Sequence, residues 1–160
     1  MIIKEHGLYT VNDKYFMDFP SKYWMQNKSQ NRPHYYSMKD PSGILWFIPM
    51  STKVENYSKK IAKEEEKRGK GNCIFYQLGK VGGIQRAFII SDLFPMVPEY
   101  IIKPYTIKSV EYIVKDEPLN REIRSKAVKY VKLLESHVLR DRNEILKIRN
   151  ELITEYKNIS

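Results

Sequence analysis

The sequence predicts an α+β fold, a small twisted sheet or barrel with helices packed outside it. Three observations point there. Short apolar runs of strand length fill the chain up to about residue 115, a proline-glycine turn joins two of them, and helical periodicity takes over from about residue 116. Strands first and helices last is the order of a layered α+β domain. At 160 residues the chain fits a single domain with a sizeable core.

Taken in order, Leu8 to Val11 reads as a first strand, and Asn12 or Asp13 is placed to cap a helical turn carrying Tyr15, Phe16 and Phe19. Pro20 ends that turn. Residues 21–32 show no sustained period and read as a mobile loop. Residues 34–39 and 43–49 are two strands joined by Asp40-Pro41-Ser42-Gly43, whose proline and glycine supply the turn angles. Alternation sets His34, Tyr36 and Met38 on one face of the first strand, and Tyr35, Ser37 and Lys39 on the other. The second strand is apolar on both faces and is expected to be central.

A helix follows over about 54–68, with Val54, Tyr57 and Ile61 on one face, and glycines at 69 and 71 terminate it. Residues 73–78 and 85–90 read as strands linked by a loop, Gly79-Lys80-Val81-Gly82-Gly83. That loop lacks the spacing of a phosphate-binding loop. Ser91 to Pro95 turns the chain, and residues 105–114 have room for one or two more strands. Asp116-Glu117-Pro118 opens a helix with Leu119, Ile123, Ala127, Val131 and Leu134 along one face. A second helix, over about 140–156, carries Ile145, Ile148 and Leu152.

The formal net charge is +9, which makes a polyanion the first partner to consider. Cys73 has no second cysteine to pair with and reads as a core thiol. No Cys/His cluster has metal-ligand spacing, so neither a zinc nor another cofactor is expected. Met1 to His6 contains no hydrophobic leader and no apolar run approaches bilayer length, so a cytosolic protein is expected.

The stretch that carries chemistry is Asn31-Arg32-Pro33-His34-Tyr35-Tyr36, followed after the hairpin by Ile48-Pro49-Met50-Ser51-Thr52-Lys53. It sets an imidazole, two hydroxyls and an ammonium at strand ends. RNA is cleaved without metal when a base takes the 2′-hydroxyl proton, an acid protonates the leaving oxygen and a cation steadies the phosphorane. His34 titrates near neutrality if unperturbed and suits either proton-transfer role; otherwise it is a satisfied strand histidine. Thr52 with Glu55 also fits a helix-capping signature, and a helix N-terminus is itself an anion site. Ser51 or Thr52 would then hold the scissile phosphate or orient the 2′-hydroxyl, with Lys53 neutralising developing charge. Tyr15 and Tyr36 offer rings for base stacking. Arg86, Arg121, Arg124, Lys126 and Lys129 exceed the local acids enough for a backbone groove, although alternating charges on helices are more often a solvated face.

With these residues laid out, the chain resembles the ToxN/AbiQ family of type III toxin-antitoxin endoribonucleases, most closely its CptN-like branch. The likeness runs through Gly7-Leu8-Tyr9-Thr10-Val11, Tyr15-Phe16, Asn27-Lys28, Arg32-Pro33-His34-Tyr35-Tyr36, Trp46-Phe47-Ile48-Pro49-Met50-Ser51-Thr52-Lys53 and Ala87-Phe88-Ile89-Ile90 with Phe94-Pro95. The resemblance implies a compact, strongly bent antiparallel β-barrel, SH3-like and similar to the Kid/MazF toxins, decorated by helices. It implies metal-independent cleavage leaving 2′,3′-cyclic phosphate and 5′-hydroxyl ends. The implied partners are target RNA and a pseudoknot antitoxin RNA, closed with the toxin into a symmetric assembly held by protein-RNA contacts.

By position, the resemblance implies a catalytic set of Tyr15, His34, Ser51, Thr52 and Lys53. His34 stands where relatives carry a lysine, which leaves Lys39 as an alternative. RNA contacts are expected at Lys28, Arg32, Tyr36, Lys39, Arg86, Arg121, Arg124 and Lys126. A non-catalytic RNA-binding module is the alternative from another class. A DNA-binding helix pair ranks below both, because no recognition-helix turn separates the last two helices.

Overall fold

The computed structural model describes residues 1–157. Strand β1 (Leu8–Val11) is buried throughout. Asn12 caps helix α1 (Asp13–Asp18) by accepting from the Lys14 amide at 2.8 Å, which satisfies a first-turn donor that has no partner inside the helix. The chain then runs irregularly to β2 (His34–Lys39) and β3 (Leu45–Ser51). Asp40 builds the hairpin turn between them. Its carboxylate accepts from the amides of Ser42 (2.9 Å) and Ile44 (3.1 Å) and from the Trp46 indole (3.1 Å). Gly43 takes a φ of 88° that side chains rarely adopt.

Helix α2 (Val54–Arg68) follows and has no fully buried residue. Strands β4 (Tyr76–Val81) and β5 (Ile84–Ile89) form a hairpin, and a 3-10 turn over Ile90–Asp92 leads to β6 (Phe94–Met96). Strand β7 (Ile101–Pro104) returns along β1. A separate hairpin of β8 (Thr106–Ile107) and β9 (Val110–Glu111) precedes α3 (Glu117–Glu135) and α4 (Ile145–Leu152).

The main sheet has seven antiparallel strands in the order β4-β5-β3-β2-β1-β7, with β6 also paired to β3. Strand β3 is its spine. Along one side it pairs with β2; along the other it pairs first with β6, at Leu45 to Phe47, and then with β5, at Met50 and Ser51. Bulges at Tyr36/Met38 and Thr10/Val11 bend the sheet. The edges β4 and β7 are not joined, so the sheet is open rather than a closed barrel.

Strand β2 departs from the two-faced pattern its alternation predicts: His34 through Met38 are all buried. Packed between β1 and β3, it has α3 across one face, where the Tyr35 hydroxyl donates to Asn120 Oδ1 at 2.6 Å. Asn120 in turn donates to the Val114 carbonyl at 2.9 Å. The predicted stripe of α3 is buried as expected, and Asp116 caps the helix by accepting from the Leu119 amide. Phe47, Phe88 and Phe94 are fully buried, each contributing roughly 1.5–3 kcal/mol.

Two boundaries differ from the sequence expectation for identifiable reasons. The predicted loop at residues 79–83 is mostly strand, because Gly82 and Gly83 alone supply the positive φ values (61° and 79°) of a two-residue hairpin turn. Gly79 is glycine for packing, since a Cβ there would lie 2.5 Å from Leu119 Cδ2. The last helix begins at Ile145 instead of about 140, because Asp141 accepts from the amides of Ile145 and Leu146 and caps it there. It ends at Leu152 and widens into a π-helical turn over Ile153–Lys157.

Candidate functional site

The β3-α2 junction exposes Thr52 and Lys53, while Ser51 is buried and its Oγ accepts from the Lys53 amide at 3.2 Å. The expected Thr52-Glu55 capping box is not formed. Lys53 is the cap residue of α2, and no side chain bonds the first-turn amides, because Ser51 ties the backbone into its own tight turn first. The Val54 amide donates to the Thr52 carbonyl at 2.8 Å, which leaves the Glu55 and Asn56 amides and the positive dipole end of the helix beside an exposed ammonium and hydroxyl. Thr52, Lys53, Val54, Glu55, Asn56 and Lys59 line a shallow, open depression there. The free amides and the two lysines suit an anion, against the single acid Glu55.

Behind the junction, Arg32 is buried and donates from Nε to the Gln26 carbonyl and from Nη1 to the Met50 carbonyl, both at 2.6 Å. It clamps the 21–32 segment onto the end of β3. That segment, expected to be mobile, is tied down at other points as well. Asn27 Nδ2 donates to the Val11 carbonyl and the Asp13 carboxylate, and Ser21 donates to Asn143. Lys28, Ser29 and Gln30 are consecutive left-handed residues (φ 50°, 54° and 65°); Lys28 is exposed at their head.

His34 departs most from its expected role. It is 2% exposed and edge-on to Phe94 with centroids 5.3 Å apart, and its Nδ1 has no hydrogen-bond partner. Burial, reinforced by the Arg32 charge, pushes its pKa down to about 3. An imidazole held neutral and away from solvent is a packing residue in this conformation. Tyr15 is likewise in the core, its hydroxyl donating to the Pro95 carbonyl at 2.6 Å among the rings of Phe16, Phe19, Trp24, Phe94 and Tyr100. Tyr36 is 5% exposed, and burial raises its pKa to about 12. Neither ring is open to a base.

Lys39 and Arg124 meet elsewhere, at the far end of β2 from His34. With Lys132 and Arg149 they rim a groove of about 500 Å³ floored by Met38, Trp46, Val128 and Ile153. Arg124 pairs with Glu5 and Arg149 with Glu135, both at 3.3 Å. Arg121 is exposed on α3, and Arg86 is half-buried on β5. Lys126 donates to the Tyr76 carbonyl at 3.1 Å, and burial lowers its pKa, so it braces α3 on the sheet.

A further group escaped the sequence reading: Tyr57 and Lys60 on α2, Tyr76 on β4, Asp92 in the turn before β6 and Arg142 before α4. Four separated segments supply it, and no local spacing announces it. Among the described residues no three His, Cys, Asp or Glu side chains gather as a metal-binding group, and no helix is long and apolar enough to cross a membrane.

No protein-family model matches this sequence, and no curated protein is significantly similar to it.

Proposed function

We propose that the protein is a metal-independent endoribonuclease, a toxin of the ToxN/AbiQ type held inactive in the cytosol by a pseudoknot antitoxin RNA. The observation that carries the reading is the exposed Thr52-Lys53 pair at the uncapped N-terminus of α2, on a chain of charge +9. The bulged sheet around β3 supports the strongly bent architecture that the resemblance implies.

In the reaction the substrate's 2′-oxygen bonds to phosphorus as the bond from phosphorus to the 5′-oxygen breaks, giving the cyclic phosphate. The 2′-hydroxyl proton leaves to solvent, and the departing 5′-oxygen takes one. Of the three groups considered for proton transfer, Lys53 alone is exposed beside Ser51 and Thr52. Its ammonium has a proton to give and offsets charge on the phosphorane, while the first-turn amides receive the non-bridging oxygens. Thr52 orients the nucleophile. Arg32 and the buried Ser51 fix the junction, and Lys39, Arg121 and Arg124 offer cations for the RNA backbone away from the scissile bond.

The test is cleavage of RNA by purified protein in a chelator, with end-group analysis. Cyclic phosphate ends and no cutting of a DNA analogue are expected; a requirement for magnesium overturns the mechanism. The buried, neutral His34 favours the second reading, a non-catalytic RNA-binding module, because it leaves Lys53 as the one proton-transfer candidate at the β3-α2 junction. Retained binding without any cleavage by the wild-type protein would establish it.

A further inference from the structure

Tyr57 and Tyr76 pack against each other with ring centroids 5.1 Å apart and planes inclined at 52°, and Lys60 Nζ lies 5.0 Å from the first ring and 5.8 Å from the second. Both tyrosines are half-buried at the surface between α2 and β4. Asp92 closes the 3-10 turn Ile90–Asp92, where the chain leaves its pairing with β3 at Phe88 and regains it at Phe94. Tyr130 braces this turn by donating to the Ser91 carbonyl at 3.2 Å.

The Asp92 carboxylate feels the charges of Arg142, Lys60 and Arg32, and its own charge acts on Tyr57, Tyr76 and Tyr130. Among the described residues, however, no donor hydrogen-bonds it and no cation comes within ion-pair distance. Burial holds its pKa above the ordinary carboxylate value. Asp92 is half-buried and its carboxylate keeps contact with solvent, so its oxygens are free to accept from a donor on an incoming ligand.

The signs around it select the occupant. A lone phosphate would meet the carboxylate, and a lone cation would meet three positive side chains. A nucleotide satisfies both, with its phosphates toward the cations and an N–H edge toward the acid. Guanine is the base whose pairing edge presents two adjacent N–H donors, which match the two oxygens of a carboxylate.

We propose that Tyr57, Lys60, Tyr76 and Asp92 form a subsite for an unpaired guanine nucleotide of RNA. Asp92 accepts from guanine N1–H and N2–H, the tyrosine pair offers a stacking surface, and Lys60 and Arg142 neutralise the flanking phosphates. The subsite adjoins the phosphate seat, since the Tyr57 amide donates to the Lys53 carbonyl one turn back along α2. It deepens the ribonuclease reading and rests on it for RNA as the ligand.

The test measures binding, by fluorescence anisotropy, of short 2′-O-methyl oligoribonucleotides that differ only in one central base. These cannot be cleaved, so recognition is read apart from chemistry. The expectation is about tenfold tighter binding for guanine than for adenine, cytosine or uracil, and loss of that preference in Asp92→Asn with the other three unchanged. Tyr57→Ala, on a helix without buried residues, weakens all four, and Tyr57→Phe does not. Equal affinity for the four bases, or a guanine preference that survives in Asp92→Asn, overturns the subsite. A protein that cuts unmodified RNA without guanine preference refutes the subsite alone; one that prefers guanine and never cuts RNA refutes the ribonuclease reading alone.

Discussion

His34 gives the sharpest test of whether burial or chemistry explains the histidine at the head of β2. Its pKa is about 3 in the folded protein against 6.5 for a free imidazole. Between those values the unfolded chain binds a proton that the folded chain refuses. The contribution is therefore fully present above pH 6.5, declines as pH falls below that, and is exhausted near pH 3. At pH 5, about 1.5 units below the unfolded value, the loss is about 2 kcal/mol at 1.36 kcal/mol per unit. His34→Gln keeps a polar side chain and removes the titration. Urea unfolding at pH 7 and pH 5 should show the wild-type protein losing about 2 kcal/mol more than the variant. Identical losses would refute the buried, neutral imidazole. So would a variant of wild-type stability that no longer cuts RNA, because that outcome puts His34 in the chemistry.

Other perturbations follow from the same geometry. Lys53→Ala should lower the rate of RNA cleavage about a hundredfold or more, about 3 kcal/mol, with an unchanged thermal midpoint because the side chain is exposed. Gly79→Ala should cost about 1–3 kcal/mol by crowding Leu119, and adding Leu119→Ala should leave no further penalty from the new methyl in a double-mutant cycle by denaturant unfolding. Asn120→Ala should cost about 1–3 kcal/mol, since it strands both the Tyr35 hydroxyl and the Val114 carbonyl; equilibrium unfolding measures it.

Where local chemistry decides structure, the sequence was readable. The hairpin at Asp40 to Gly43 and the helix opened by Asp116 both follow from a turn or cap residue next to a clean period. Gly79 misled because a glycine reads as a loop until the leucine that needs its missing side chain is in view, 40 positions along the chain. Strand β6 was hidden in what looked like a turn, as its three residues are defined by pairing to β3 alone. At the site, the Ser51-Thr52-Lys53 run could be found because its members are adjacent. The burial of His34 and Tyr15 could not, because the rings of Phe94 and Tyr100 that help cover them come from distant segments. Asp92 lacked a signal for the same reason.

Strand β3 has a consequence for the timing of motion. It shares ladders with β2, β5 and β6, so freeing it means breaking three pairings together, and its amides belong to the slowest-exchanging class of a native protein. Thr52 and Lys53 follow directly from its last residue. Thr52 and Lys53, the proposed phosphate grip, thus ride on the part of the molecule expected to open last, and local fluctuations that loosen the edges β4 and β7 leave their spacing intact.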